Sequence, residues 1–253
     1  MTKLGFQLYG AREYQPFSSV FKKLAAAGYG EVEGYGVLYD DLDTAGLERL
    51  AADLDALGLS MPTGHFSIAM LENEPGRVLE IAARLNMDSV FCPYLPPEQR
   101  PDTTADWKAF GARLEAIGTP FRDAGLIFGW HNHNFEFELL PDGTAPLRHI
   151  LENGPSLAWE ADLAWLIRAG ADPYFWIELF KERITAVHVK DLAEEGENAD
   201  EDGWADVGHG TVDWKGLMKV LKSMPVKHYV VEHDNPNDID RTIERSIASF
   251  QTF

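Results

Sequence analysis

The sequence predicts a single-domain (β/α)8 barrel over residues 1–253, and three observations carry that reading. Short apolar runs alternate with helical stretches, the pattern of βαβ units around a parallel sheet, and the alternation counts to eight. A chain of 253 residues with 45% hydrophobic content can bury a core of that size. No G-x-G-x-x-G follows the first strand and no G-x-x-x-x-G-K occurs, which leaves a doubly wound open sheet as the weaker topology.

In chain order, strand 4–9 leads to helix 17–27 and strand 30–35. Helix 44–57 carries Leu47, Leu50, Leu54 and Leu57 on one face, and Gly58 stops it. Strand 61–66, helix 76–85 and strand 89–94 follow, with Pro62 and Pro93 where a ladder donor can be spared. Helix 104–124 is marked by Leu114, Ile117 and Phe121 before Gly125. The apolar run Leu126-Ile127-Phe128-Gly129-Trp130 forms the fifth strand, 126–131, followed by helix 145–152 and strand 157–162. A split helical segment, 165–181, leads to strand 184–190. Asp213 and Asp238 are N-caps for helices 214–222 and 238–250, which bracket strand 228–233. The longest break, 192–212, is rich in acids and reads as a solvated loop; the functional alternative is a lid bringing Trp204 or His209 into a site.

Lys and Arg total 22 against 41 Asp and Glu, a net charge of −19. A surface so acidic repels phosphate backbones and anionic lipid, so neither nucleic acid nor membrane is an expected partner. No run of 18 apolar residues occurs, and Met1-Thr2-Lys3-Leu4-Gly5-Phe6 enters a strand pattern without a secretory signal; a soluble, cytoplasmic protein is expected. Cys92 is the single cysteine, which excludes an internal disulfide and a cysteine-based zinc site and reads as a buried, inert thiol.

Chemistry concentrates at the C-terminal ends of the later strands, where parallel sheets open to ligand. His131-Asn132-His133-Asn134-Phe135-Glu136-Phe137-Glu138 puts two imidazoles and two carboxylates at the end of the fifth strand. Glu160 and Asp162, His188 and Lys190, and Glu232 and Asp234 each share a face by strand alternation. A lone Asp there is as often a helix cap as a ligand, and His188 alone reads equally as a core histidine. Four such groups at successive strand ends are harder to place without a cation, because each would cost several kcal/mol to bury. Asp162, His188 and Glu232 are therefore the expected metal ligands, with a fourth from the fifth strand. Three carboxylates and one imidazole suit Mn²⁺ or Mg²⁺, with Zn²⁺, Co²⁺ and Fe²⁺ admissible. Such an ion polarises a carbonyl and stabilises the enediolate left when the neighbouring carbon loses a proton.

Five segments, His131-Asn132-His133-Asn134-Phe135-Glu136-Phe137, Glu160-Ala161-Asp162-Leu163-Ala164-Trp165 with Ala169-Gly170-Ala171-Asp172-Pro173, His188-Val189-Lys190-Asp191, Gly208-His209-Gly210-Thr211-Val212-Asp213-Trp214, and Val231-Glu232-His233-Asp234, together resemble the xylose isomerase-like TIM barrel family of sugar phosphate isomerases and epimerases. The resemblance implies a Glu, Asp, His, Glu metal site, three of whose members map onto Asp162, His188 and Glu232. The first Glu falls to Glu136, with Glu138 and His131 as rivals, because His131 occupies the place where epimerases of the family carry it. Trp165 likewise stands where many epimerases and inosose dehydratases have a histidine. Both departures resemble the H-N-H-x-x-E branch, which includes enzymes acting on 3-keto sugars and glycosides.

The function expected from these residues is a metal-dependent sugar isomerase or epimerase working by proton abstraction beside a carbonyl. A lyase or dehydratase on an inosose or 3-keto-glycoside is the alternative. Glu232 and Glu136 would serve as ligands and proton carriers, with His133 as the competing base. Lys190 would stabilise an oxyanion or form a structural pair with Asp191 or Glu160. His65 and His131 would touch substrate, and Trp130, Trp165, Trp204 and Phe66 could supply flat walls for a sugar ring, core packing being the plainer reading for most of them. An abasic-site endonuclease, also known in the family, needs more than the eight histidines present and a basic groove. A silent binding barrel is the third class, and a homo-oligomer stays open.

Overall fold

A computed structural model describes residues 3–40 and 42–253. Eight parallel strands form one sheet: β1 (Leu4–Phe6), β2 (Glu31–Gly34), β3 (Ser60–His65), β4 (Ser89–Cys92), β5 (Ile127–His131), β6 (Ala158–Asp162), β7 (Ile184–Val189) and β10 (His228–Val231). Their order, β1-β10-β7-β6-β5-β4-β3-β2, follows the chain around a barrel. The seam between β1 and β2 is joined by a parallel bridge between Gln7 and Glu33. Two short strands, β8 (Asp191–Leu192) and β9 (Trp204–Ala205), make an antiparallel hairpin between β7 and β10. Each large strand falls within a few residues of its expected range.

Helices cover the outside, so strands such as β4, β6 and β10 are buried along their whole length, as parallel barrel strands must be. Two expectations change, one of a helix and one of a strand. The stretch expected as one helix over 104–124 divides into Thr104–Ile117 and Thr119–Asp123 around Gly118, with Pro120 opening the second piece. Proline lacks the amide a continuous helix would need, and a Cβ on Gly118 would collide with the Phe128 ring. The first strand also ends early, because Gln7 accepts from Tyr9 N (3.1 Å) and starts a 3-10 turn over Leu8–Ala11.

The break at 192–212 is not a loose loop. Asp191 gathers it: Oδ1 accepts from Leu192 N (2.9 Å) and Val212 N (3.0 Å), and Oδ2 from Gly208 N (2.8 Å). Trp204, Glu201 and Asp206 are buried, and Arg241 pairs with both acids. His209 is exposed and stays outside the mouth, so it does not act as the expected lid residue. Among the described residues no helix is long and apolar enough to cross a membrane. Cys92 is buried, and burial pushes its thiol up to about 12.

Inside the barrel three layers succeed one another. At the N-terminal end His228 bridges Glu31 (3.0 Å) and Asp88 (3.1 Å). Phe91, Ala158 and Ala186 pack above them. Glu160 and His188 lie two residues further along β6 and β7, on the same inward face, and begin the polar layer at the C-terminal mouth.

Candidate metal centre at the mouth of the barrel

Strand register sets the centre. His131 pairs with Glu160 across β5 and β6, and Asp162 with His188 across β6 and β7. Donor atoms of His131, Asp162, His188 and Glu232 lie within 4.8 Å of one another, all on buried residues. Of the expected ligands, the structure brings Asp162, His188 and Glu232 together, and it adds His131. His188 Nδ1 is 3.0 Å from Glu232 Oε2.

Asp162 is both a cap and an open donor. Its Oδ1 accepts from Trp165 N (2.8 Å), starting helix Leu163–Arg168, whereas Oδ2 is buried with no hydrogen-bond partner. Such an unpaired oxygen beside imidazole nitrogens fits a bound cation, whose ligands must present free lone pairs. Burial raises Asp162 to about 7 against the pull of Lys190 and His188. His188 is held well above the usual imidazole range, since Glu160, Glu232 and Glu33 outweigh its burial. Glu232 is held well below the carboxylate range, because Lys190 and His188 overcome burial.

Glu136, expected beside these donors, stands apart from them. The chain leaves β5 at His131 and turns through Phe135–Phe137, so the carboxylate swings away from the mouth. It accepts from Trp130 Nε1 (2.9 Å) and His133 N (2.9 Å), lies outside the donor cluster, and burial raises it to about 8. Glu138 is exposed on the same turn. Asn132, between the two histidines, ties β5 to β6: its Oδ1 accepts from Trp159 Nε1 (2.7 Å) and Asp162 N (3.1 Å), and its Nδ2 donates to Asp162 O (2.9 Å).

Lys190 also departs from expectation. It is fully buried, 2.5 Å from Asp234 Oδ1 and 3.3 Å from Glu232 Oε2, and its partners are neither Asp191 nor Glu160. Trp204 covers it, with Nζ 4.0 Å from the ring centroid, and in turn packs edge-on against Trp165. Trp204 therefore backs the wall rather than lining it. A cavity of about 690 Å³ opens above the donors; His65, His131, His133, Trp165 and Glu232 line it, with Tyr9, Tyr35 and Tyr94 further out. His133 faces Trp165 and Tyr94, and burial, His131 and Lys190 hold its ring neutral, well below the usual range.

The sequence reading missed Glu33. Its Oε1 lies 2.8 Å from His188 Nε2, 3.2 Å from His65 Nε2 and 2.7 Å from Gln7 Nε2. An acid in a short strand next to Gly34 was the available signal, since an inward carboxylate there is buried by the barrel itself.

The model of the xylose isomerase-like TIM barrel family matches residues 21–253. The chain belongs to that family. A comparison with curated proteins finds no match. Among solved structures, this xylose isomerase-like barrel is similar to a sugar phosphate isomerase/epimerase from Parabacteroides distasonis, at TM-score 0.81 and 22% identity over 99% of this chain and 93% of that one. It is similar to the probable 3-DHS dehydratase AsbF of petrobactin synthesis from Bacillus anthracis, at TM-score 0.73 and 13% identity over 98% of both chains. A third, the IOLI protein with a bound zinc atom, aligns at TM-score 0.74 and 16% identity over 99% of this chain and 97% of that one. At these identities the likeness concerns the fold, and function is argued from the site.

Proposed function

We propose that this barrel is a divalent-metal-dependent enzyme that removes a proton from the carbon beside a carbonyl of a sugar or keto-sugar, giving isomerisation or epimerisation. The observation that carries this reading is the convergence of four buried donors, two of which, His131 and Glu232, line an open cavity and one of which, Asp162 Oδ2, has no partner. His131, Asp162, His188 and Glu232 would hold the ion, which supplies Lewis acidity toward a carbonyl. His133, neutral and exposed to the cavity, is the base that takes the proton. Glu232, kept ionised by Lys190, faces the same cavity and carries a proton as well as serving as ligand. Lys190 positions Glu232 instead of meeting an oxyanion. Trp165 and Tyr94 flank His133 and fix the direction of its ring.

Elimination from a keto-glycoside is the second reading, favoured by cavity size. The space of about 690 Å³ reaches beyond the donors to Tyr9, Tyr35 and Val37, in the range of about 300–1,000 Å³ that encloses drug-sized ligands. Charge argues for a neutral carbohydrate over a nucleic acid. Asp202, Glu232 and Asp234 line the mouth, and the lining Arg12 spends Nη1 on the carbonyls of Tyr9 and Asp234.

Turnover in D₂O with Mn²⁺ tests the reading. At least one of a panel of ketoses, inososes and 3-keto-glycosides should gain deuterium beside its carbonyl, and His133→Ala should slow that exchange by about 10²–10⁴-fold. Turnover without solvent label would leave a hydride shift or internal proton return in place of an exchanging base, and full-rate exchange in His133→Ala would transfer the base role to Glu232.

A further inference from the structure

Glu160 lies one inward layer deeper than Asp162 on β6, and a second set of donors surrounds it. Its Oε2 is 3.2 Å from His131 Nδ1, 3.5 Å from His188 Nε2 and 2.5 Å from His65 Nε2. All four donor atoms lie within 4.8 Å of one another on buried residues. Ligands at zinc distances of about 2.0–2.1 Å stand about 3.3 Å apart around a tetrahedron, so two of these three separations already fit. The third is that of a hydrogen bond, and His65 would have to move outward.

Satisfaction of polar groups points the same way. Glu160 Oε1, Glu33 Oε2 and His131 Nδ1 are buried with no hydrogen-bond partner. Glu33 Oε1 adds a carboxylate at the same nitrogens, 3.2 Å from His65 Nε2 and 2.8 Å from His188 Nε2, so each Nε2 gives up its proton and this hydrogen bond when it takes an ion. His188 also faces two ways, with Nδ1 toward Glu232 and Nε2 toward Glu160 and Glu33.

We propose that His65, His131, Glu160 and His188 form an inner cation seat beneath the one at the mouth, taking a borderline ion such as Zn²⁺ or Co²⁺. Three imidazoles and one carboxylate favour such ions over Mg²⁺. His188 turns Nδ1 toward Glu232 and Nε2 toward Glu160, but His131 and His188 belong to both sets, so filling both seats together requires each of these rings to lose both N–H protons and bridge the two ions. His65 and His131 line the mouth cavity and give an ion its way in.

Zinc-soaked crystals of the full chain, measured across the zinc absorption edge, test this without any variant. The expected result is an anomalous peak between His65, His131, Glu160 and His188 in addition to one at Asp162 and Glu232. A peak only at Asp162 and Glu232, or none, overturns the inner seat. A peak only at the inner position supports it while removing the mouth site on which the proposed function rests. In solution, elemental analysis after dialysis should give two zinc per chain, falling to one in Glu160→Gln and to one in Asp162→Asn, with far-ultraviolet circular dichroism unchanged. Retention of both ions by Glu160→Gln would also overturn the proposal.

Discussion

At the scale of residues, protonation governs the mouth. Asp162 is raised to about 7 by burial and His188 is held well above the usual imidazole range, so both carry protons near neutrality that a cation must displace. Ion affinity should therefore weaken as pH falls through about 7, by roughly tenfold per pH unit for each proton displaced. Titration calorimetry at pH 6 and pH 8, in buffers of different ionisation enthalpy, would measure both the affinity and the proton release. Equal affinity at the two values would contradict the assignment. Asp162, His188 and Glu232 were legible because strand alternation fixes where a residue points. Glu136 was misplaced because alternation stops where the strand stops: beyond His131 the chain coils, and the next carboxylate turns back to the Trp130 indole.

Among the elements, the hairpin after β7 shows where sequence reading runs out. A run of acids reads as solvated loop, yet here Asp191 collects backbone amides and Arg241 neutralises Glu201 and Asp206. Apart from the bond to the adjacent Leu192, these pairings span 17 to 40 residues and cannot be seen in the sequence. Asp191→Ala should release the hairpin and uncover Trp204, because at least three backbone donors lose their acceptor. Limited proteolysis should then cut within residues 193–211, with a red-shifted tryptophan emission. An uncut hairpin would show that Trp204 packing alone holds it. β2 was found as a strand, but its two inward acids were not given roles: Glu31 reaches the bottom of the barrel and Glu33 the top.

For the whole molecule, the eightfold alternation showed a parallel sheet covered on both faces, and the lack of a glycine-rich turn after the first strand favoured closing it as a barrel over a doubly wound sheet. Its N-terminal end carries a stability device. Burial alone would depress His228, but Asp88 and Glu31 outweigh it and raise the ring to about 9, above an unfolded value of about 6.5. The stabilisation is fully present below about pH 6.5 and is lost as pH rises through about 9. The melting temperature of the wild type should thus exceed that of His228→Gln most at pH 6, with the gap closing by about pH 9.5; a gap independent of pH would remove the charged bridge. The proposed cation site at the mouth consists of His131, Asp162, His188 and Glu232 and excludes Glu136. Equilibrium binding of Mn²⁺, counted per chain by electron paramagnetic resonance, tests it most directly. Tight Mn²⁺ binding is expected in the wild type and in Glu136→Gln, and its loss in Asp162→Asn and His188→Ala with the fold intact. Loss in Glu136→Gln, or full retention in Asp162→Asn, would contradict it.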